Sequence, residues 1–239
     1  MIKQNWWGLI IEELMDLTNK IVLITGGSKG IGEATSYAFA KEKSRIVVTY
    51  NSDSAAAEKV RSRCLELGSP EVLSLKLDLK DSESIKNCVS ETEKKFGHID
   101  ILINNAGVIG WEKFEHETFE EIENQVRTNL EGMIKITSAA FPQIKEGIIN
   151  IASRAGHLPY PGRSVYCATK FGVIGFTKSL ALENPDLKIF SVSPGAVKTE
   201  MWDFQTGADP AVVADMVVKG WKGEIPLKDG DLNVWELTD

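Results

Sequence analysis

The sequence predicts an α/β protein in which one parallel sheet carries helices on both faces, and three observations support this. Short apolar, β-branched runs alternate with helical patterns along the chain, an order that requires parallel strands joined by crossover helices. The first run, Ile21-Val-Leu-Ile24, enters a glycine-rich turn, Thr25-Gly-Gly-Ser-Lys-Gly-Ile-Gly32, and leaves as a helical segment reaching Phe39. The length, 239 residues, suits one domain with a single buried core rather than two domains.

Residues 1–19 read as a peripheral N-terminal extension ahead of one domain spanning 20–239. The extension contains Trp6 and Trp7 followed by Glu12 and Glu13, which is too short and too acidic for a secretory signal. Two readings stay open for it: an amphipathic helix, or a segment lying before a true start at Met15.

In the stretch from Ile21 to Phe39, a buried parallel strand feeds a helix through glycines, so the helix N-terminus points unpaired N–H groups and its positive dipole end at whatever sits on the turn. A pyrophosphate fits there. The spacing Gly26, Gly30, Gly32 differs from G-x-G-x-x-G but obeys the same logic of tight turn and close backbone approach. Strand patterns follow at 45–50, 71–77, 99–103, 147–151 and 188–192, with a last one at 231–236. Helical patterns fill 54–67, 82–96, 119–144 and 164–183. No repeat or low-complexity linker interrupts this order.

Charge and composition narrow the function classes. With 27 basic and 34 acidic side chains, the formal net charge is −7, and no Lys/Arg cluster offsets it, so a nucleic-acid surface is not expected. Cys64, Cys88 and Cys167 form no C-x-x-C pair, which suggests free thiols in a reducing compartment. His98, His116 and His157 lack metal-ligand spacing, so no metal site is implied. No apolar run approaches the roughly 20 residues of a membrane span. A cytoplasmic protein working on a small molecule is the expectation.

Tyr166 and Lys170 lie four apart in a helical stretch and so share a face, where an ammonium beside a phenol lowers the phenol pKa and creates an acid/base pair. Ser153 stands just past the fifth strand pattern, at the edge where open α/β sheets place ligand-contacting residues.

In order along residues 18–199, the glycine turn, Asn104-Asn-Ala-Gly107, Asn129, Ser153, Tyr166-Cys-Ala-Thr-Lys170 and Ser193-Pro-Gly195 with Thr199 resemble the motifs of the short-chain dehydrogenase/reductase family. By motif the chain looks similar to 3-oxoacyl-carrier-protein reductases and kindred carbonyl reductases. The resemblance implies a three-layer Rossmann-type doubly wound parallel sheet forming a single dinucleotide-binding catalytic domain. It also implies interconversion of a carbonyl and a secondary alcohol, with Tyr166 as general acid/base and Ser153 bonding the reacting oxygen. Lys170 would tune Tyr166 and hold the nicotinamide ribose, and Asn129 would support a water-linked proton path.

Cofactor contacts implied by the same resemblance are Gly26, Ser28, Lys29, Gly30, Ile31 and Gly32 on the turn. Asn51 and Asp78 follow the second and third strands, and Asn105, Ala106 and Gly107 follow the fourth. Tyr166 and Lys170 would contact the cofactor as well, as would Pro194, Gly195, Val197 and Thr199. NADP(H) is expected over NAD(H). NAD-selective relatives carry an acid at the end of the second strand, where this chain has Tyr50, Asn51 and Ser52. Asp53 reads as a helix cap, and Lys29 could reach a 2′-phosphate as a point charge. Family members commonly form homodimers or homotetramers through the helices at 119–144 and 164–183.

Trp111, Arg154, His157, Tyr160 and Trp202 fall on segments that would border the substrate. The segment 200–220 is short and the end lacks Gly-Gly, which departs from the fatty-acid reductases. Two alternatives are a non-catalytic dinucleotide-binding regulator, whose signature would be a missing catalytic residue, and an NAD-dependent sugar epimerase. The short chain after Pro194 leaves little room for an epimerase's substrate domain.

Overall fold

The computed structural model describes residues 16–202 and 206–238. Trp6, Trp7 and Met15, and with them both readings of the extension, lie outside the described residues. The last residues assigned to that extension are part of the body: Leu17 is buried in the core, and its carbonyl accepts a hydrogen bond from Ser44 Oγ at 2.8 Å.

Seven strands form one sheet in the order β3-β2-β1-β4-β5-β6-β7, every neighbouring pair parallel. They are β1 (Ile21–Ile24), β2 (Arg45–Tyr50), β3 (Val72–Lys76), β4 (Ile99–Asn104), β5 (Ile144–Ile151), β6 (Lys188–Val192) and β7 (Asp231–Leu232). The helices are α1 (Gly30–Lys41), α2 (Ser54–Glu66), α3 (Ser82–Phe96), α4 (Phe119–Val126), α5 (Met133–Ala140), α6 (Ser164–Glu183), α7 (Pro210–Lys222) and α8 (Val234–Thr238). Side chains alternate across each strand. Val22 and Ile24 of β1 join the core beneath α1, α2 and α7, while Leu23 joins the core beneath α3 and α5. Continuous apolar runs are what a sheet buried on both faces needs.

Helix starts follow local side-chain chemistry. Asp53 accepts from Ala56 N–H at 2.9 Å and caps α2, as its sequence position suggested. Asp81 caps α3 through Glu83 N–H, and Thr118 with Glu121 forms a reciprocal capping box on α4.

Three elements differ from the sequence reading, one of them α7 (Pro210–Lys222), which fills much of the segment 200–220 where no helix was expected. The helix expected over 119–144 is α4, a π-helical turn at Arg127–Gly132, and α5, and it stops at Ala140. Pro142 follows in a short 3₁₀ turn, because proline lacks the N–H that would continue an α-helix, and β5 begins at Ile144, opposite Ile99. The strand expected at 231–236 is only Asp231–Leu232, followed by α8. Leu232 and Val234 are both buried, and one helical turn satisfies that spacing as well as an extended strand does. On α4 and α6, expected to carry an interface between copies, Phe119, Val126 and Phe171 are exposed.

Candidate active site

The strand order reverses between β1 and β4, and ligands of open α/β sheets bind at such a switch point, beyond the C-terminal ends of the strands. A cavity of about 850 Å³ lies there, toward the upper part of the range of about 300–1,000 Å³ found for small-molecule sites.

At one end the walls are backbone and small side chains. Gly26 adopts φ +62°, a left-handed conformation, and its amide donates to Thr49 Oγ1 at 3.0 Å. Gly32, in the first turn of α1, admits no side chain, since a Cβ there would stand 2.2 Å from the Gly26 carbonyl oxygen. The turn is tied to the loop after β4. Thr25 Oγ1 accepts from the amides of Asn105 at 2.9 Å and Ala106 at 3.1 Å, and Asn105 Nδ2 donates back to the carbonyls of Thr25 and Gly26. Thr25 and Thr49, which the sequence reading did not single out, therefore fix the turn's shape. Their signal was present, as hydroxyls at the ends of two apolar strands.

Lys29 lies at this end with its Nζ 3.4 Å from Asp53 and 3.3 Å from Glu200, and both carboxylates raise its pKa, Glu200 more. Asp53 therefore both caps α2 and lines the cavity.

At the other end lie the side chains suited to proton transfer. Ser153, Tyr166 and Lys170 all line the cavity, and Tyr166 and Lys170 are buried. The Tyr166 phenol sits above its ordinary pKa because burial penalises the phenolate, an effect partly offset by a hydrogen bond with Ser153 and by the charge of Arg163. Lys170 is brought down to about 8 by burial. The expected lowering of the phenol by Lys170 is not what this geometry gives. The ammonium is 5.8 Å from the Tyr166 ring centroid and donates to the Ile151 carbonyl at 2.9 Å, so the cation acting on the hydroxyl is Arg163.

Of the residues the sequence reading assigned, the cavity gathers Gly26, Ser28, Lys29, Gly30, Ile31, Asn51, Asn105, Ala106, Gly107, Ser153, Tyr166, Lys170, Pro194, Gly195, Val197 and Thr199. Gly32, Asp78 and Asn129 are not on its wall. Asp78 accepts the Lys80 amide at 2.9 Å beside the end of β3. Asn129, buried in the π turn, clamps the loop after β4: its Oδ1 accepts from Val108 N–H at 2.7 Å and its Nδ2 donates to the Val108 carbonyl at 2.8 Å. Nδ2 also lies 3.2 Å from Thr169 Oγ1, which donates to the Tyr166 carbonyl. Trp111, Arg154, Tyr160 and Trp202 line the cavity, and so does Arg163, which the sequence reading passed over. His157 does not; its Nε2 is 2.8 Å from Asp231 Oδ2 and 3.1 Å from Ser193 Oγ. Among the described residues no group of His, Cys, Asp and Glu could hold a metal ion, and no helix is long and apolar enough to cross a membrane.

Fold and site together define an α/β oxidoreductase of the Rossmann type. The chain belongs to the short-chain dehydrogenase family, whose profile, described as "short chain dehydrogenase", matches residues 20–209. A similar protein is the NADP-dependent 3-hydroxy acid dehydrogenase of Schizosaccharomyces pombe, 36% identical over 229 residues, covering 93% of this chain and 88% of the relative. The 3-oxoacyl-[acyl-carrier-protein] reductase of Synechocystis is 34% identical over 191 residues, 77% of each chain. Among solved structures, a short chain dehydrogenase from Burkholderia cenocepacia in complex with NADP superposes with a TM-score of 0.83 at 27% identity, covering 91% of this chain and 96% of that one. The chain is thus a carbonyl/alcohol oxidoreductase of this family.

Proposed function

We propose that the protein is an NADP(H)-dependent reductase of a small carbonyl compound, or oxidant of the matching secondary alcohol, with Tyr166 as the general acid/base. The observation that carries this reading is a cavity that joins a glycine-rich turn at a helix N-terminus to Ser153 and the buried Tyr166 and Lys170. The cavity residues fit a dinucleotide: Gly26 and Gly30, both in left-handed conformations, form the wall of the turn without side chains, and the α1 N-terminus opens beside it, where backbone N–H groups would hold the pyrophosphate. The NADP complex of the Burkholderia cenocepacia relative and the cofactor named for the Schizosaccharomyces pombe relative support NADP(H).

When bound, NADP(H) supplies the hydride. The chain's own groups supply the rest. Ser153 and the Tyr166 hydroxyl would hold the carbonyl oxygen as the C=O π pair moves onto it, and Tyr166 would deliver the proton that completes the alcohol. A phenol raised by burial is fully protonated at neutral pH, which suits the reductive direction. Lys170, 5.8 Å from the Tyr166 ring centroid and bonded to the Ile151 carbonyl, would bond the ribose. Asn129 would act as a positioning residue, since its amide groups hold Val108 and Thr169.

Tyr166→Phe tests the assignment. The ring and its packing persist, so NADPH should bind with unchanged affinity by fluorescence titration. Turnover of a carbonyl panel should fall by at least about a hundredfold, the lower end for general acid catalysis. Turnover near wild type would remove Tyr166 from the role.

A further inference from the structure

We propose that the carbonyl substrate carries a carboxylate and that Arg163 is the residue that binds it; this rests on the reading of the site as a carbonyl reductase. Three features of the cavity lead there.

The first is charge segregation. Arg154 aside, the lining carries three cations, Lys29, Arg163 and Lys170, and two carboxylates, Asp53 and Glu200. Both carboxylates lie within 3.4 Å of Lys29, at the glycine-turn end. Neither forms an ion pair with Arg163 or Lys170, at the end where Tyr166 stands. In a protein of net charge −7, this pocket is cationic against the sign of the whole molecule, and such a pocket draws an anion.

The second is how Arg163 is held. Its guanidinium carbon lies 4.4 Å from the Trp111 ring centroid and 4.6 Å from that of Trp202, with Tyr160 at 5.7 Å, and the two indoles approach each other to 5.0 Å. Aromatic faces fix the plane of a guanidinium without consuming its N–H groups. Among the described residues no carboxylate lies within ion-pair distance of it, so a rigid planar fork of donors is presented to the cavity. A carboxylate, bonded by two parallel N–H groups, is its geometric complement.

The third is position. Arg163 immediately precedes α6, three residues before Tyr166, and its charge is felt at the Tyr166 hydroxyl. A substrate anchored on Arg163 by its carboxylate therefore has its carbonyl a few bonds away, within reach of Tyr166 and Ser153. The reaction would be oxo acid plus NADPH plus one proton giving hydroxy acid plus NADP⁺. The two electrons arrive as hydride on the carbonyl carbon and the proton arrives on its oxygen.

The test uses the full-length protein with NADPH and pairs differing only in charge: 3-oxobutanoate and 4-oxopentanoate, each against its methyl ester. At least one acid should be preferred to its ester in kcat/KM by about tenfold to a hundredfold, the worth of a charge-assisted contact. Arg163→Gln should raise KM for that acid by a similar factor and leave KM for the ester and NADPH affinity unchanged; because Arg163 also acts on the Tyr166 hydroxyl, any change in kcat should be shared by acid and ester, and Arg163→Lys should recover part of the KM loss. Equal use of acids and esters, or an Arg163→Gln effect on KM equal for both, would overturn the proposal. Calorimetric binding of 3-hydroxybutanoate and its methyl ester to the NADPH-loaded protein, where no turnover occurs, keeps the two readings apart. If no carbonyl is reduced yet the acid binds more tightly than the ester and loses that advantage in Arg163→Gln, the reductase reading fails and the carboxylate site stands. Equal binding of the two sinks the site whatever the turnover.

Discussion

The two ends of the cavity are built from different materials. The glycine-turn end is backbone: Gly26 in a left-handed conformation, Gly32 against a carbonyl, and Thr25 bridging to Asn105 and Ala106. The substrate end is made of large side chains, with Trp111, Tyr160, Arg163 and Trp202 converging from separate segments. Their cations differ as sharply. Lys29 is half-exposed and shared by two carboxylates, whereas Lys170 is buried and bonded to one carbonyl. One end tolerates almost no added atom and the other can be refitted by exchanging side chains, which is how one fold keeps its cofactor while changing substrate.

The hardest blow to that contrast falls on the rigid end. Gly32→Ala places a Cβ 2.2 Å from the Gly26 carbonyl oxygen and 2.4 Å from Asn105 Nδ2. Because the first neighbour is backbone, the turn must move, costing roughly 1–3 kcal/mol or more, and NADPH binding should be lost in a fluorescence titration of whatever folded protein remains. Binding within twofold of wild type would show that the turn is not rigid.

Lys170→Met is expected to harm function and help the fold. Burial lowers the Lys170 pKa to about 8, so below pH 8 the folded protein carries the cost of a buried ammonium. Between pH 8 and about 10.5, the ordinary lysine value, the unfolded chain binds the extra proton, so the wild type gains stability as pH rises through that window. The variant should lose activity yet melt higher than wild type at pH 7, by about 2 °C or more. Its advantage should shrink from pH 8 upward. A variant that melts lower at pH 7 would mean that the Lys170 bond to Ile151 outweighs the burial cost.

The smallest effect belongs to the exposed lysine. Lys29→Ala should reduce the preference for NADPH over NADH by about tenfold, the lower end for a charge-assisted contact, since Asp53 and Glu200 already share the ammonium. An undiminished preference would move phosphate selection to other residues of the turn.

How far the sequence could be read follows the same division. The parallel sheet, the turn and the Tyr166–Lys170 face were legible because each is contiguous or set by a single period. Trp111, Tyr160 and Trp202 could be placed at the border by segment, but Arg163 could not be singled out. A lone arginine before a helix carries no pattern until the two indoles that orient it are brought together. Asp78 illustrates the opposite limit: a loop acid after a strand suggests a ligand contact, yet here its carboxylate serves the Lys80 amide. Asn129 could be named but not its clamp on Val108, because the π turn that aims it depends on packing rather than on a residue type.

The carboxylate of Asp231, nearly inaccessible to solvent, accepts from Ser191 and Ser193 on β6 and faces His157, at the end of the turn that begins with Ser153. During synthesis the other six strands leave the ribosome before Asp231 does. The carboxylate that faces the serine turn is thus among the last groups of the sheet to be made, after every residue of the glycine turn.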